Sequence, residues 1–259
     1  MTLNWSRRGR RRTVASFAHL CTRSILPILL ASVFALPASA SDPGCPPAGG
    51  PLSEPGQPRN LGGLKTELVY YKCSGAYDRD FSQVIDQAIS YLLKRAKGGG
   101  KLALVLDIDE TALSNWEKLV ADDFGFFLDG SCTLLPRGPC GENEWELLAR
   151  SAPTDTLRLF KVARANNVAV FFVTGRQKTS SIKEATEKNL HQAGYWDWAD
   201  LFLKPNDGRS VEQFKTQARE EIEQRGYTII ANVGDQYSDL RGKHTEQVFK
   251  LPNPFYFIP

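Results

Sequence analysis

Histidine and methionine are nearly absent from this chain, with three and one among its 259 residues. Its five cysteines contain no pair in CxxC spacing. With so few imidazoles, that argues against a zinc site. No apolar stretch reaches the ~20 residues that a helix needs to cross a bilayer. The longest, "ILPILLASVFAL" at 25–36, is short and broken by Pro27. No segment repeats another, which argues against solenoid and propeller architectures. Neither sign of charge dominates: the formal net charge is +3, and Arg7, Arg8, Arg10, Arg11, Arg12 and Arg23 all precede residue 24. The remainder carries no basic footprint for a nucleic acid polymer.

The N-terminal order is informative. A basic region leads into the short apolar run, then "PASA" and "SDPG", which is the pattern of a secretory signal cut after Ala40. A retained anchor is the competing reading. The paired arginines fit a twin-arginine signal weakly, and no lipobox precedes Cys45. The protein is therefore expected to be exported, periplasmic or extracellular, and free of the membrane once cut. Cleavage removes Cys21 and leaves Cys45, Cys73, Cys132 and Cys140, an even set that favours disulfides in an exported chain. Cys132 and Cys140 frame a short loop that a bridge could close, and Cys45 would then pair with Cys73. Residues 41–63 are dense in proline and glycine and read as an extended leader, with one domain over 64–259.

Within that domain helical and strand patterns alternate. "YDRDFSQVIDQAISYLLKRAK" has helical apolar spacing and ends at "GGG" 98–100. The strand "KLALVLDI" follows, then a helix in "DTLRLFKVARANN", a strand in "VAVFFVTGR" and a helix in "SIKEATEKNLHQAGY". A short strand "DLFLK", a charged helix "SVEQFKTQAREEIEQRGY", the strand "TIIANVGDQ" and a short "QVFKL" complete the series. The expected class is α/β, a mostly parallel sheet with helices on both faces. In such sheets ligands bind beyond the carboxyl ends of the strands. "DIDET", "TGR" and "GDQYSD" therefore converge on one site.

Four carboxylates, Asp107, Asp109, Asp235 and Asp239, would repel each other there unless a cation intervened. Oxygen donors without histidine or cysteine favour Mg²⁺ over zinc. Acids, a metal, a threonine and a lysine together suit phosphoryl transfer. Asp107 would be the nucleophile, forming an aspartyl phosphate, and Asp109 the acid and base. The Thr174 hydroxyl, with Gly175 and Arg176 beside it, would hold phosphoryl oxygens, and a lysine would neutralise charge in the transition state. On pattern alone the strand-end Lys204 is better placed for that than Lys215, which lies within a helix; both stay open. Glu110 is expected to turn away.

"DIDET", "FFVTGR", "FKTQAR" and "VGDQYSDL" resemble, in order, the four motifs of the haloacid dehalogenase (HAD) superfamily. "LSN" after the first motif and the closing "FKLPNPFYFIP" are similar to its acid phosphatase branch, the class B/C-like group that includes plant vegetative storage proteins and bacterial secreted acid phosphatases. The resemblance implies a Rossmann-like fold with a small cap, placed at about 115–151. It implies Lys215 as the motif lysine and Mg²⁺ held by Asp107, the Asp109 backbone carbonyl and Asp235, with Asp239 behind. It further implies an acid phosphatase acting on small phosphomonoesters, and the aromatics of the cap segment add nucleotides as candidates. The aromatics Trp116, Phe124, Phe126, Phe127 and Trp145 would either stack a leaving group or form the core of the cap. Some storage proteins of the branch lack the nucleophilic aspartate, so a non-catalytic storage or binding protein on the same fold is the alternative.

Overall fold

A computed structural model describes residues 58–148 and 152–258, in which helices and strands alternate. The order is α1 (Leu61–Cys73), α2 (Ala76–Ala96), β1 (Leu102–Leu106), β2 (Leu113–Ser114), α3 (Trp116–Ala121), a 3₁₀ turn (Cys132–Leu134), α4 (Glu142–Trp145) and β3 (Ala152–Pro153). It continues with α5 (Thr156–Ala165), β4 (Ala169–Gln177), α6 (Ser180–Gln192), β5 (Asp200–Lys204), α7 (Val211–Gln224), β6 (Thr228–Gly234), α8 (Tyr237–Leu240) and β7 (Val248–Lys250). The main sheet has the order β5-β4-β1-β6-β7, and each pairing is parallel. The α/β class expected from the alternation is the class observed.

Strand parity divides the core between the two faces. Leu102, Leu104 and Leu106 of β1 pack with Phe81, Ile85 and Leu92 of α2 and Leu159 and Phe160 of α5. Ala103 and Val105, facing the other way, pack with Phe214, Ala218 and Ile222 of α7. Both faces are thus covered, as an all-parallel sheet requires. Leu104 is completely buried at the centre. Leu104→Ala should lower unfolding free energy by about 3 kcal/mol in urea titrations, from lost transfer energy plus the cavity left behind.

Two features of the backbone depart from the expected pattern. Helix α1 begins within the segment read as an extended leader, where the Asn60 side chain accepts a hydrogen bond from the Gly63 N–H at 3.0 Å. Strand β4, expected in "VAVFFVTGR", runs from Ala169 to Gln177, with an unexpected register shift against β5 between Thr174 and Gln177. The expected signal segment and Cys45, hence a Cys45–Cys73 bridge, lie outside the described residues. The Cys132–Cys140 bridge is present.

The segment expected to form the cap is bracketed by a two-stranded antiparallel clasp, in which Leu113 pairs with Pro153 and Ser114 with Ala152. Within it a Cβ on Gly141 would collide with the backbone of Asp129 and Gly130, so only glycine permits that approach. Gly141 N–H donates to Gly130 C=O at 3.0 Å and closes the neck of the disulfide loop.

Candidate active site

Strand β1 is central, and its neighbours β4 and β6 end beside it. This brings the three polar clusters to one edge. Asp107 prolongs β1, its N–H donating to Val233 C=O at 3.0 Å. It keeps the parity of Ala103 and Val105 and so faces α7, where Lys215 lies buried. The chain then turns sharply: the N–H groups of Thr111, Ala112 and Leu113 all converge on Ile108 C=O. Glu110 has φ 53°, a left-handed conformation that costs a non-glycine residue free energy.

Lys215 Nζ donates to Asp107 Oδ1 and, at 2.6 Å, to Asp239 Oδ1. One cation thus bridges two carboxylates. Burial alone would lower the lysine pKa, but Asp107 and Asp239 hold it above its usual range. Burial pushes Asp107 well above the carboxylate range, and Lys215 only partly opposes that shift. Asp235 is pushed up to about 7 by burial and by Asp239. Thr111 Oγ1 donates to Asp235 Oδ1 at 3.1 Å, while Gln236 and Asn253 donate to its Oδ2 at 2.8 and 2.6 Å. Gln236 N–H donates to Asp239 Oδ2 at 2.7 Å. That fold-back requires Gly234, where a Cβ would collide with the Asp239 side chain.

Asp107, Asp235 and Asp239 each offer an oxygen, all within 4.8 Å of one another and all buried. An all-oxygen set of this compactness fits a hard divalent cation. The Asp109 side chain lies outside this set. Arg176 grips it with Nε at 2.9 Å and Nη2 at 2.6 Å, and Asn115 Nδ2 adds a bond at 2.9 Å. Burial would raise the Asp109 pKa, but the Arg176 guanidinium outweighs it and holds the carboxyl low.

These groups line a cavity of about 450 Å³, together with Glu110, Lys118, Glu142 and Glu146 and an apolar wall that includes Phe124, Phe126, Val211, Phe257 and Ile258. Seven carboxylates line it against three cations, Lys118, Arg176 and Lys215. Burial disfavours the ionised forms of Asp107, Asp235 and Glu110, and a divalent cation at the cluster would favour them.

Lys215, not the strand-end Lys204, enters the site. Strand β5 is an edge strand two places from β1, and Lys204 Nζ donates to Pro205 C=O at 3.4 Å. Gly175 lines the cavity, whereas Thr174 is completely buried and its hydroxyl accepts the Arg176 N–H at 3.2 Å. Arg176 is occupied by Asp109 and by Thr186, to which Nη1 donates at 3.2 Å. Ser238, by contrast, lines the cavity, and its buried hydroxyl has no hydrogen-bond partner among the described residues.

Glu110 does not turn away. It is buried in the cavity wall and accepts from Asn115 N–H at 2.5 Å, Asn115 Nδ2 at 3.1 Å and Tyr256 Oη at 3.3 Å. Burial pushes it up to about 8. Asn115 and Tyr256 stand in "LSN" and the closing "FYFIP", so those strings held the signal for this network. Lys118 and Glu146 carried none. The aromatics divide between the two expectations: Phe124 and Phe126 line the cavity, Trp116 packs on Phe255 with ring centroids 5.2 Å apart, and Trp145 is buried.

Comparison with known proteins accords with this geometry. The sequence matches the family described as HAD superfamily, subfamily IIIB (acid phosphatase), over residues 63–123 and 143–259. Acid phosphatase 1 of Solanum lycopersicum is 30% identical over 193 residues, 73% of this chain and 72% of that protein. The stem 28 kDa glycoprotein of Glycine max is 33% identical, covering 71% of each chain. Vegetative storage protein 1 of Arabidopsis thaliana is 28% identical, covering 73% of this chain and 68% of that protein. The class C acid phosphatase of Bacillus anthracis, solved with tungstate bound, has the same fold, with a TM-score of 0.57 and 19% identity over 73% of this chain and 83% of that one. With the motif acids gathered at the edge of a parallel sheet and the family match spanning both halves of the domain, this chain belongs to the HAD subfamily IIIB acid phosphatases and is a phosphomonoesterase.

Proposed function

We propose that the chain is an exported, Mg²⁺-dependent acid phosphatase that hydrolyses phosphomonoesters through an aspartyl phosphate on Asp107. The observation that carries this is the pairing of two differently held aspartates at one strand end: Asp107 on Lys215 and Asp109 on Arg176. Asp107 attacks phosphorus, and the bond from phosphorus to the ester oxygen breaks. At acid pH Asp109 takes up a proton from solvent against the hold of Arg176 and gives it to the departing alkoxide, then accepts one from the water that cleaves the aspartyl phosphate and frees inorganic phosphate. Lys215, Ser238 and the backbone at Gly175 are the groups placed to stabilise phosphoryl oxygens. Magnesium, held by Asp107 and Asp235 with Asp239 behind, would supply charge neutralisation between the nucleophile and the phosphate.

Export rests on the N-terminal pattern and on the Cys132–Cys140 bridge, a bond that persists in oxidising compartments. Among the described residues no helix is long and apolar enough to cross a membrane. Phe124, Phe126 and Phe257 on the cavity wall favour aryl and nucleotide leaving groups.

A phosphate-release screen tests the reading. Aryl phosphates and nucleotides should turn over faster than glycerol phosphate. Chelation should remove at least about nine-tenths of the activity, and added Mg²⁺ should restore it. Full activity after exhaustive chelation would exclude the metal, and no release from any ester would favour a storage role.

A further inference from the structure

We propose that Trp145 is a positioning residue for Asp109, acting through the side-chain amide of Asn115. This rests on the acid/base reading of Asp109 above. Trp145 is 2% exposed and packs against the Cys132–Cys140 bridge with Leu135 and Leu148. Its Nε1–H donates to Asn115 Oδ1 at 2.8 Å. An indole N–H can only donate, so it dictates which end of the amide it meets. The oxygen must face Trp145, and Nδ2 is thereby aimed at Asp109 Oδ1, at 2.9 Å, and Glu110 Oε2, at 3.1 Å. Turned the other way, the amide would set its oxygen against two carboxylates.

The consequence for Asp109 is orientation. Its Oδ1 accepts from Arg176 Nη2 on one side and Asn115 Nδ2 on the other. With the second donor gone, the carboxylate is held by Arg176 alone and can follow that long side chain. Proton delivery to a leaving oxygen tolerates little such drift. The bridge on which Trp145 rests lies in residues 124–142, a stretch between the two segments that match the family. Trp145 itself stands in the second matched segment, whereas the bridge that seats it lies between the two.

A purely structural role would depress hydrolysis of all esters alike, whereas a role in proton delivery depends on the leaving group. Nitrophenolate departs without a proton, and a benzyl alkoxide does not. The test compares kcat/KM, which reports the step of leaving-group departure, for p-nitrophenyl phosphate and benzyl phosphate. Trp145→Phe should lose about tenfold on benzyl phosphate and less than about threefold on p-nitrophenyl phosphate, a fraction of the full contribution of a general acid. Asp109→Asn should show the same selectivity, larger, on the order of 10²-fold or more. Equal losses on both esters in Trp145→Phe, or none, would overturn the proposal while a selective Asp109→Asn leaves the acid/base reading standing. An unselective Asp109→Asn would remove that reading and this one with it. Should Trp145→Phe not fold, Asn115→Leu carries the same comparison with the same two outcomes.

Discussion

Asp107→Asn is expected to abolish turnover and to leave the protein at least as stable as before. The activity loss should be on the order of 10⁴-fold or greater, because an amide cannot form the acyl phosphate on which the two-step route depends. The stability expectation follows from the charges. Asp107 lies within a buried group of carboxylates, with Asp235 and Asp239 sharing the same 4.8 Å cluster. Burial and these neighbours disfavour its ionised form. Asparagine keeps the shape and removes one of the repelling charges, and Lys215 retains Asp239 as its partner at 2.6 Å. Phosphate release and thermal unfolding, measured on the same preparation, check both halves. A variant that folds and still releases phosphate at more than about a hundredth of the normal rate would eliminate Asp107 as nucleophile.

Lys215→Met should have the other large effect, this time on stability as well as rate. Methionine fills much the same volume, so the packing of α7 on the sheet is largely preserved. What disappears is the buried cation that Asp107 and Asp239 share. Breaking a buried ion pair from one side leaves uncompensated charge and typically costs 3–5 kcal/mol, so a loss of about 3 kcal/mol is expected without divalent cation. Added Mg²⁺ should recover part of it, since the carboxylates then have another partner and binding to the folded state is stabilising. Turnover should fall on the order of 10²–10³-fold through loss of transition-state charge stabilisation. Urea titrations with and without Mg²⁺ provide the measurement. Unchanged stability in metal-free buffer would mean that the carboxylates neutralise themselves by taking up protons and do not need the lysine.

The parts of the molecule that were legible in the sequence are those with strong periodicity. Helix α2 repeats its apolar residues at helical spacing, and β1, β4 and β6 are short apolar runs ending in polar clusters. Helix α1 escaped because it carries two glycines near its start and only Gly63 among its residues is buried. The clasp of β2 and β3 escaped because two residues per strand leave no alternation to detect. At the site, the strand-end rule placed Asp107, Asp109 and Asp235 at one edge and left the lysine open between Lys204 and Lys215, and only the motif resemblance pointed to Lys215. Strand order is invisible in one sequence, so nothing revealed that Lys204 ends an edge strand. Arg176 and Glu110 illustrate the same limit: which carboxylate an arginine meets, or where a third acid turns, depends on contacts between residues far apart in the chain.

The small clasp has a consequence for how such a protein can change. Leu113–Ser114 and Ala152–Pro153 close the base of the segment that lies over the cavity, and neither belongs to the main sheet. Length added beyond that closure leaves the strand register of the catalytic edge untouched. The entropic cost of a longer closed loop grows only logarithmically, about 0.6 kcal/mol for each doubling. Residues 124–142 lie beyond that closure and outside the matched family segments, yet they supply Phe124, Phe126 and Glu142 to the cavity. The cavity wall can thus be lengthened or reshaped there without moving Asp107, Lys215 or the acids beside them.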